Sequence, residues 1–433
     1  MNLLKEVFAH EVYPAFGCTE PISCAYAAAV AAAELGAAVE SLRLRVDPGT
    51  YKNGAAVVVP RSNGAKGNLI AAALGAVIAR PERKLELLEE TTDELLREAQ
   101  ELEDAGRCSI ECAADWSDFQ VEAVVAGGGS EARCVLSGGH TRVALVEKDG
   151  RAISGCDASS GDRCAPPPAY RAALKNMSIE EILALAETID AQDAAYIRRG
   201  VEMNLALSKL GLDAGGTAAQ LRLMHDDGFL AGDMFYRAKL ATASAVDARM
   251  AGASQAAMTS GGSGNQGIVA VLTPLLVGRE MGIDEQRIER SIAAAHLVNA
   301  YVKCFVGELS VICGCAMAAG IAAASAIVYQ QCGIDVRRVT LAVGNVIGDL
   351  SGLICDGAKP GCAMKAVTAV DSAIRSALMA LKGYGLSCDD GLVGQTIEDS
   401  LKNLGRITLE GMFQVDPTLL RIIREKTAAR GKA

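Results

Sequence analysis

Apolar positions change their period twice along this chain. Residues 19–39 (TEPISCAYAAAVAAAELGAAV) carry small apolar side chains at nearly every position and predict a buried helix, with Thr19 as N-cap, Pro21 in the first turn and Gly36 near the end. Two strand-like runs follow, SLRLRVD at 41–47 and AAVVVP at 55–60, joined by the turn PGTYKNG. Residues 68–80 return to a helical pattern, and 82–105 read as a charged, solvated helix. From 107 to 150 apolar and polar residues alternate (FQVEAVVAG, ARCVLSGGHTRVALVEKDG), the period-two signature of paired strands. The stretch 156–170 is rich in Pro, Ser and Gly. From Ser178, where Glu181 completes a capping box, the pattern is helical almost to the end: 178–190, 192–210, 217–225, 233–258, 266–281, 284–303, 309–331, 335–350, 363–382 and 394–404. The expected fold class is α+β, with a mixed α/β region over 1–155, a linker over 156–177 and a large, mostly α-helical domain over 178–433.

Composition narrows what such a fold can do. At 50 % hydrophobic and 22 % charged, the 433 residues are too apolar for a disordered chain. Aromatics are only 4 %, with Trp116 the single Trp, so the core must be built from helices that approach closely through small side chains. A formal charge of −10 with no basic run excludes a sequence-independent nucleic-acid binder. Leu309–Ile334 is uncharged and long enough for a bilayer, but its Ala, Gly, Cys and Ser content and its lack of an aromatic belt predict a buried central helix and no membrane partner. Lys5, Glu6, His10 and Glu11 interrupt the N-terminal apolar stretch, so no signal peptide is expected and the protein is placed in the cytoplasm. Fourteen cysteines in a reducing compartment argue for metal or redox chemistry, although each alone could be a small buried hydrophobe.

Five stretches combine reactive side chains with glycine. In Gly17-Cys18-Thr19-Glu20-Pro21 a cysteine precedes a helix, where unpaired N–H groups and the helix dipole favour a thiolate; taken alone, the feature reads rather as a buried Cys beside an N-cap Thr. Cys313 and Cys315 flank Gly314 in KCFVGELSVICGCAMAAG, a spacing that suits neither a zinc knuckle nor a thioredoxin motif and that alone reads as core packing. Cys355 and Cys362 flank a Gly/Pro/Lys loop between helices, where glycine N–H groups can point at sulfur. Taken with Cys18 and the Cys-Gly-Cys element, they favour a site of convergent thiolates. Residues 260–267, SGGSGNQG, precede an apolar helix and form a cradle for a carboxylate or phosphate. The G-x-G-x-x-G match inside this run follows a helix instead of a strand, and no Gly-Lys-Ser/Thr succeeds it, which excludes the dinucleotide and Walker readings. His140 and Thr141, in SGGHT between strands, and Lys52-Asn53-Gly54, in a turn, are further candidates, though hairpin chemistry alone also explains them. His225 and His296 have no acidic orienter at a suitable spacing and read as structural.

The segments GCTEP, SGGSGNQG, FVGELSVICGCAMAAG and GLICDGAKPGCAMK together resemble the iron–sulfur L-cysteine desulfidase family and its uncharacterised bacterial relatives. The C-terminal half is more distantly similar to the α subunit of the iron–sulfur L-serine dehydratases. The resemblance runs from Cys18 to about Ala380 with the motifs in the family's order. It implies a [4Fe–4S] cluster held by three protein thiolates, with one iron open to a small amino-acid substrate, and α,β-elimination of cysteine to sulfide, ammonia and pyruvate. Cys18, one of Cys313 and Cys315, and Cys355 are the implied essential thiolates, with Cys362 a fourth candidate. If Cys315, Cys355 and Cys362 hold the cluster, Cys18 is free to act as base; if Cys18 is a ligand, Lys303 or Lys359 becomes the base. Ser260, Ser263, Gly264, Asn265 and Gln266 would hold the substrate, with His140 and Thr141 nearby. The ligand loop is shorter than in the serine dehydratases. The rival readings are an L-serine dehydratase or a lyase of another small β-substituted amino acid, and, from a different class, a non-catalytic iron–sulfur or metal redox sensor, which would not need the Gly/Ser cradle. A homo-oligomer is compatible with all of them.

Overall fold

In the computed structural model, residues 2–116, 118–155, 169–307 and 309–430 are described. The chain begins with α1 (Leu3–Glu11), β1 (Pro14–Ala15), α2 (Thr19–Leu35), β2 (Ser41–Val46), α3 (Pro48–Gly54), α4 (Asn68–Ile78) and α5 (Asp93–Asp104). Strands β3 (Cys108–Cys112), β4 (Gln120–Gly127), β5 (Ser130–Ser137), β6 (Val143–Lys148) and β7 (Arg151–Gly155) come next. The rest is helical apart from β8 (Ala257–Met258): α6 (Ala169–Lys175), α7 (Ile179–Ala186), α8 (Ala191–Gly211), α9 (Gly216–Asp226), α10 (Met234–Met250), α11 (Gly264–Glu280), α12 (Glu285–Val306), α13 (Met317–Cys332), α14 (Val336–Leu350), α15 (Cys362–Leu381), α16 (Ile397–Arg406) and α17 (Val415–Arg430). The α+β class expected from the sequence is what the chain adopts.

Six strands form one sheet in the order β3-β2-β4-β5-β6-β7, parallel only between β2 and β3. Alternation drives this sheet: Val121, Ala123 and Val125 of β4 point to the buried face, where α2 lies with α4 behind it. Small residues let those two helices touch. A Cβ at Gly75 of α4 would lie 2.0 Å from the Ala25 carbonyl oxygen of α2, so only glycine permits this approach. The helical part surrounds α13, whose residues Met317–Gln330 are all buried among α11, α12, α14 and α15. Two cores result. Leu4, Val7 and Phe8 of α1, Val12 after it and Cys18 join the helical one, while Ala15, Phe16 and Ile22 join the sheet core.

Several boundaries differ from the pattern reading for identifiable reasons. The PGTYKNG segment is the helix α3 and not a turn, because Asp47 caps it, accepting from the Thr50 N–H at 2.9 Å, and Pro48 supplies the first helical φ. The expected strand 55–60 contributes only an isolated bridge between Val58 and Lys66. Cys18, not Thr19, occupies the N-cap of α2, and Gly36 ends that helix in the left-handed region. The charged helix at 82–105 is split: a kinked 3₁₀ segment over Pro81–Glu90 gives way to α5 at a Thr92 cap. The helix expected over 233–258 stops at Met250, and Ala257–Met258 pairs with β1 instead. The apolar run at 309–331 becomes helical only at Met317, and no described helix is long and apolar enough to cross a membrane. Of the expected linker, 156–168 lie outside the described residues and Ala169–Lys175 is α6.

Two stitches bring the sheet region onto the helical core. The β1–β8 pair is reinforced by the Thr259 N–H donating to the Tyr13 carbonyl and the Gly262 N–H donating to the Glu11 carbonyl, both at 2.9 Å. At the other end of the chain, Asp416 of α17 accepts from the buried Lys52 ammonium of α3 at 2.6 Å.

Candidate active site

One cavity of about 80 Å³ lies where these stitches meet, lined from both regions. Its first wall carries four thiols. The Cys313 N–H donates to the Leu353 carbonyl at 2.8 Å and the Cys355 N–H to the Val311 carbonyl at 2.7 Å, around an antiparallel bridge between Ile312 and Ile354. This small ladder holds the Cys-Gly-Cys loop in register with the loop of Cys355. Cys362 opens α15, its N–H donating to the Lys359 carbonyl at 2.9 Å. The thiols feel one another. A hydrogen bond shared with Cys315 brings Cys313 down to about 7, against burial and with help from Lys365, while the same bond, burial and the neighbouring Cys313, Cys362 and Cys355 push Cys315 well up. Burial raises Cys355, opposed by Lys52 and Lys365, and pushes Cys362 up to about 11. Lys365 donates to the Ile354 carbonyl at 2.7 Å and, with Lys359, pairs with Asp356. All the described cysteines are free thiols.

A second part of the lining is built from the N-terminal region. Glu20, buried in the first turn of α2, accepts from the Cys18 thiol at 3.0 Å, the Thr19 hydroxyl at 3.1 Å and the Asn53 amide at 2.8 Å. Burial alone would raise its carboxyl, but the nearby His140 and the hydrogen bonds from Cys18 and Asn53 outweigh that and hold it below the usual range. Cys18 behaves opposite to the helix-terminus expectation. Burial and then the Glu20 charge push its thiol well up, and Arg249 only partly opposes them, so the proton stays on sulfur. His140 lines the cavity and rests against the Phe119 ring at 4.7 Å between centroids.

The third side is the 260–267 loop and what supports it. The N–H groups of Ser260 and Ser263 bond across to each other's carbonyls, and that of Gly262 is used by Glu11, so this part of the expected cradle is spent within the fold. Asn265 and Gln266, in the first turn of α11, do line the cavity. The Ser260 hydroxyl faces away, accepting from the Asn299 amide at 3.0 Å and meeting His296 Nδ1 at 3.0 Å. Burial takes His296 down to about 3. An unfolded chain therefore binds a proton below its ordinary 6.5 that the folded chain refuses until about 3, so this residue's contribution is complete above pH 6.5 and is lost as pH falls. Urea unfolding should show a loss of about 2 kcal/mol between pH 7 and 5 that is missing in His296→Asn, at about 1.4 kcal/mol per pH unit; equal slopes in the two proteins would refute it.

Arg249, in the last turn of α10, completes this side. It is 2 % exposed, donates from Nη1 to the Asn265 side-chain oxygen at 2.9 Å, and lines the cavity. Gly264 is covered by it: a Cβ there would sit 2.4 Å from Arg249 Nε.

The model of the serine dehydratase alpha chain family matches residues 82–421. The chain belongs to that family. It is 48 % identical to a UPF0597 protein of Geobacter sulfurreducens over 98 % of this chain and 99 % of that one. It is 42 % identical to a UPF0597 protein of Elusimicrobium minutum over 98 % and 100 %, and 37 % identical to one of Desulfatibacillum aliphaticivorans over 98 % of both chains. The serine dehydratase alpha chain match takes in the four-thiol wall and Arg249 but begins after Cys18, Glu20 and Asn53. The full-length relatives span both walls.

Within this serine dehydratase alpha chain relative, the fold gathers Cys18, Cys313, Cys315, Cys355, Cys362, His140, Ser263, Asn265, Gln266 and Lys303 around one cavity. Lys303 donates to the Gly261 carbonyl there. Thr141, Ser260, Gly264 and Lys359 do not line it; Lys359 is turned to Asp356. Glu20, Arg249 and Lys365 line it although the sequence did not single them out as site residues. Among the described residues no three His, Cys, Asp or Glu groups are arranged around a single metal ion. A polynuclear cluster sets a different requirement, since each thiolate binds its own iron; the lining offers Cys313, Cys315, Cys355 and Cys362 with Lys365 beside them.

Proposed function

We propose that this chain is a [4Fe–4S]-dependent lyase that eliminates the β-thiol of L-cysteine, releasing sulfide and aminoacrylate, which hydrolyses to ammonia and pyruvate. The observation that carries this reading is that one cavity is lined both by four thiols with lysines beside them and by a buried thiol–carboxylate pair. Cys355, Cys362 and one of Cys313 and Cys315 would hold the cluster: Cys315 is the less buried of the pair, whereas Cys313 is the one whose thiol is brought down to about 7. When bound, such a cluster supplies a Lewis-acidic iron for the leaving group. The remaining work falls to the chain. Cys18 Sγ takes the Cα proton as its own proton passes to Glu20, whose carboxylate is oriented by Asn53 and Thr19. Lys52 and Lys365 offset the negative charge that thiolates and a leaving sulfide bring to the first wall.

The family match favours a second substrate, L-serine, whose hydroxyl would leave in the same way. Protein prepared without oxygen and reconstituted with iron and sulfide separates the readings. The expected result is four irons per chain, visible absorption that bleaches in air, and equal sulfide and pyruvate from L-cysteine. Pyruvate from L-serine alone would install the second reading, a cluster without turnover would leave a sensor, and the absence of any cluster would overturn the proposal.

A further inference from the structure

The cavity contains a buried cation whose hydrogen bonds are incomplete. Arg249 is 2 % exposed, and only its Nη1 has a partner, Asn265; Nε and Nη2 have none. Unmade bonds on a buried guanidinium are costly, and the fold has gone out of its way to keep this one. Glycine at 264 is what makes room, since a Cβ would lie 2.4 Å from Nε, 2.6 Å from Cζ and 2.8 Å from Nη2. The unsatisfied pair, Nε with Nη2, is the side-on edge through which a guanidinium grips a carboxylate with two parallel hydrogen bonds. A second orphan lies in the same lining: Gln266, 7 % exposed, has an Oε1 with no donor. A bidentate cationic donor edge and a lone acceptor are the complement of the carboxylate and ammonium of an α-amino acid. The cations set against the four-thiol wall are lysines, whereas Arg249 is the cation that Cys18 feels.

We propose that Arg249 is the anchor for the substrate's α-carboxylate, with Gln266 Oε1 accepting from its α-ammonium. This refines the elimination reading and rests on it for the identity of the substrate. A substrate held there presents its Cα to the Cys18 side and directs its β-substituent towards the thiol wall. The backbone cradle at 260–267 is then a support for Arg249 and not itself the carboxylate site.

The test uses anaerobically prepared holoprotein and a probe that cannot react. Calorimetric titration with L-alanine and with L-alaninamide, which lacks the carboxylate, should show L-alanine binding roughly 10²-fold more tightly to the wild type, the margin expected of a bidentate charge-assisted pair. Arg249→Met should abolish that difference, and Arg249→Lys, which keeps the charge and loses the fork, should keep only part of it. Ligand-free Arg249→Met should melt no lower than the wild type, because it removes a buried charge with unmade bonds. If that variant fails to fold, Arg249→Lys and Gln266→Leu carry the binding comparison. Equal affinities for the two probes in the wild type, no binding of either, or unchanged L-alanine binding in the variants would each overturn the anchor. Arg249-dependent L-alanine binding in a protein that turns over neither L-cysteine nor L-serine would keep the anchor and remove the elimination reading.

Discussion

Cys355→Ser, prepared without oxygen and reconstituted with iron and sulfide, is expected to lose its cluster and its release of pyruvate from L-cysteine together. Cys355 sits at the meeting point of three segments: its N–H is tied to Val311, its thiol faces the Asn53 side chain at 3.8 Å, and the loop after it is bonded to Asn53 through the Ala358 N–H at 3.3 Å. Serine keeps the shape of the side chain and a donor for Asn53, so a joint loss of cluster and turnover reports a bond to iron. Cys134→Ser in the sheet core and Cys388→Ser on the surface are the controls. The first exchanges a buried thiol for a hydroxyl at a cost of roughly 1–3 kcal/mol, the second costs nothing measurable, and both should keep iron and turnover. Iron analysis and a pyruvate assay on the same samples decide the matter. A full complement of iron in Cys355→Ser removes that residue from the ligand set, and the same pair of assays on Cys313→Ser and Cys315→Ser tests the choice between them.

Cys18→Ala is expected to keep normal iron while turnover falls by roughly 10²–10⁴, the usual contribution of a positioned proton acceptor. The reason is its company. Its thiol donates to Glu20, it feels Arg249, and the thiols that act on Cys315 are Cys313, Cys355 and Cys362. Loss of iron in this variant would make it a ligand and return the proton transfer to Lys303, which also lines the cavity. Undiminished sulfide release with full iron would leave it as core packing at the N-cap of α2.

The thiols were legible in the sequence because cysteine in a glycine-rich loop has few structural reasons to be there; that they share one cavity is a property of the fold alone. Arg249 was illegible for the opposite reason. In SAVDARMAG it falls inside the helix expected over 233–258 with no motif around it, and only the fold, with Gly264 against it, reveals that it is buried. Glu20 stood in the GCTEP motif but drew no role of its own, since nothing in the sequence hints that Asn53 would come to meet it. PGTYKNG was mistaken for a turn on its glycines and Asn, although Asp47-Pro48 is the stronger signal, a cap followed by a residue already fixed in helical φ. The long helices of the second half were readable throughout, since their caps and their period agree. Their ends were misjudged at 250 and 317, where chain that could have continued as helix was bent to serve the site.

Asn53 and Cys355 are separated by 302 positions, and Cys18 lies further still from Cys362. Contacts of such high order close the longest loops of the chain, and they come late in folding. During synthesis the sheet region emerges and can bury its own core long before Cys355 and Cys362 leave the ribosome. On the iron–sulfur reading proposed above, cofactor insertion would have to wait for the finished polypeptide, and a product truncated ahead of α15 would lack Cys362 together with one of the helices that bury α13.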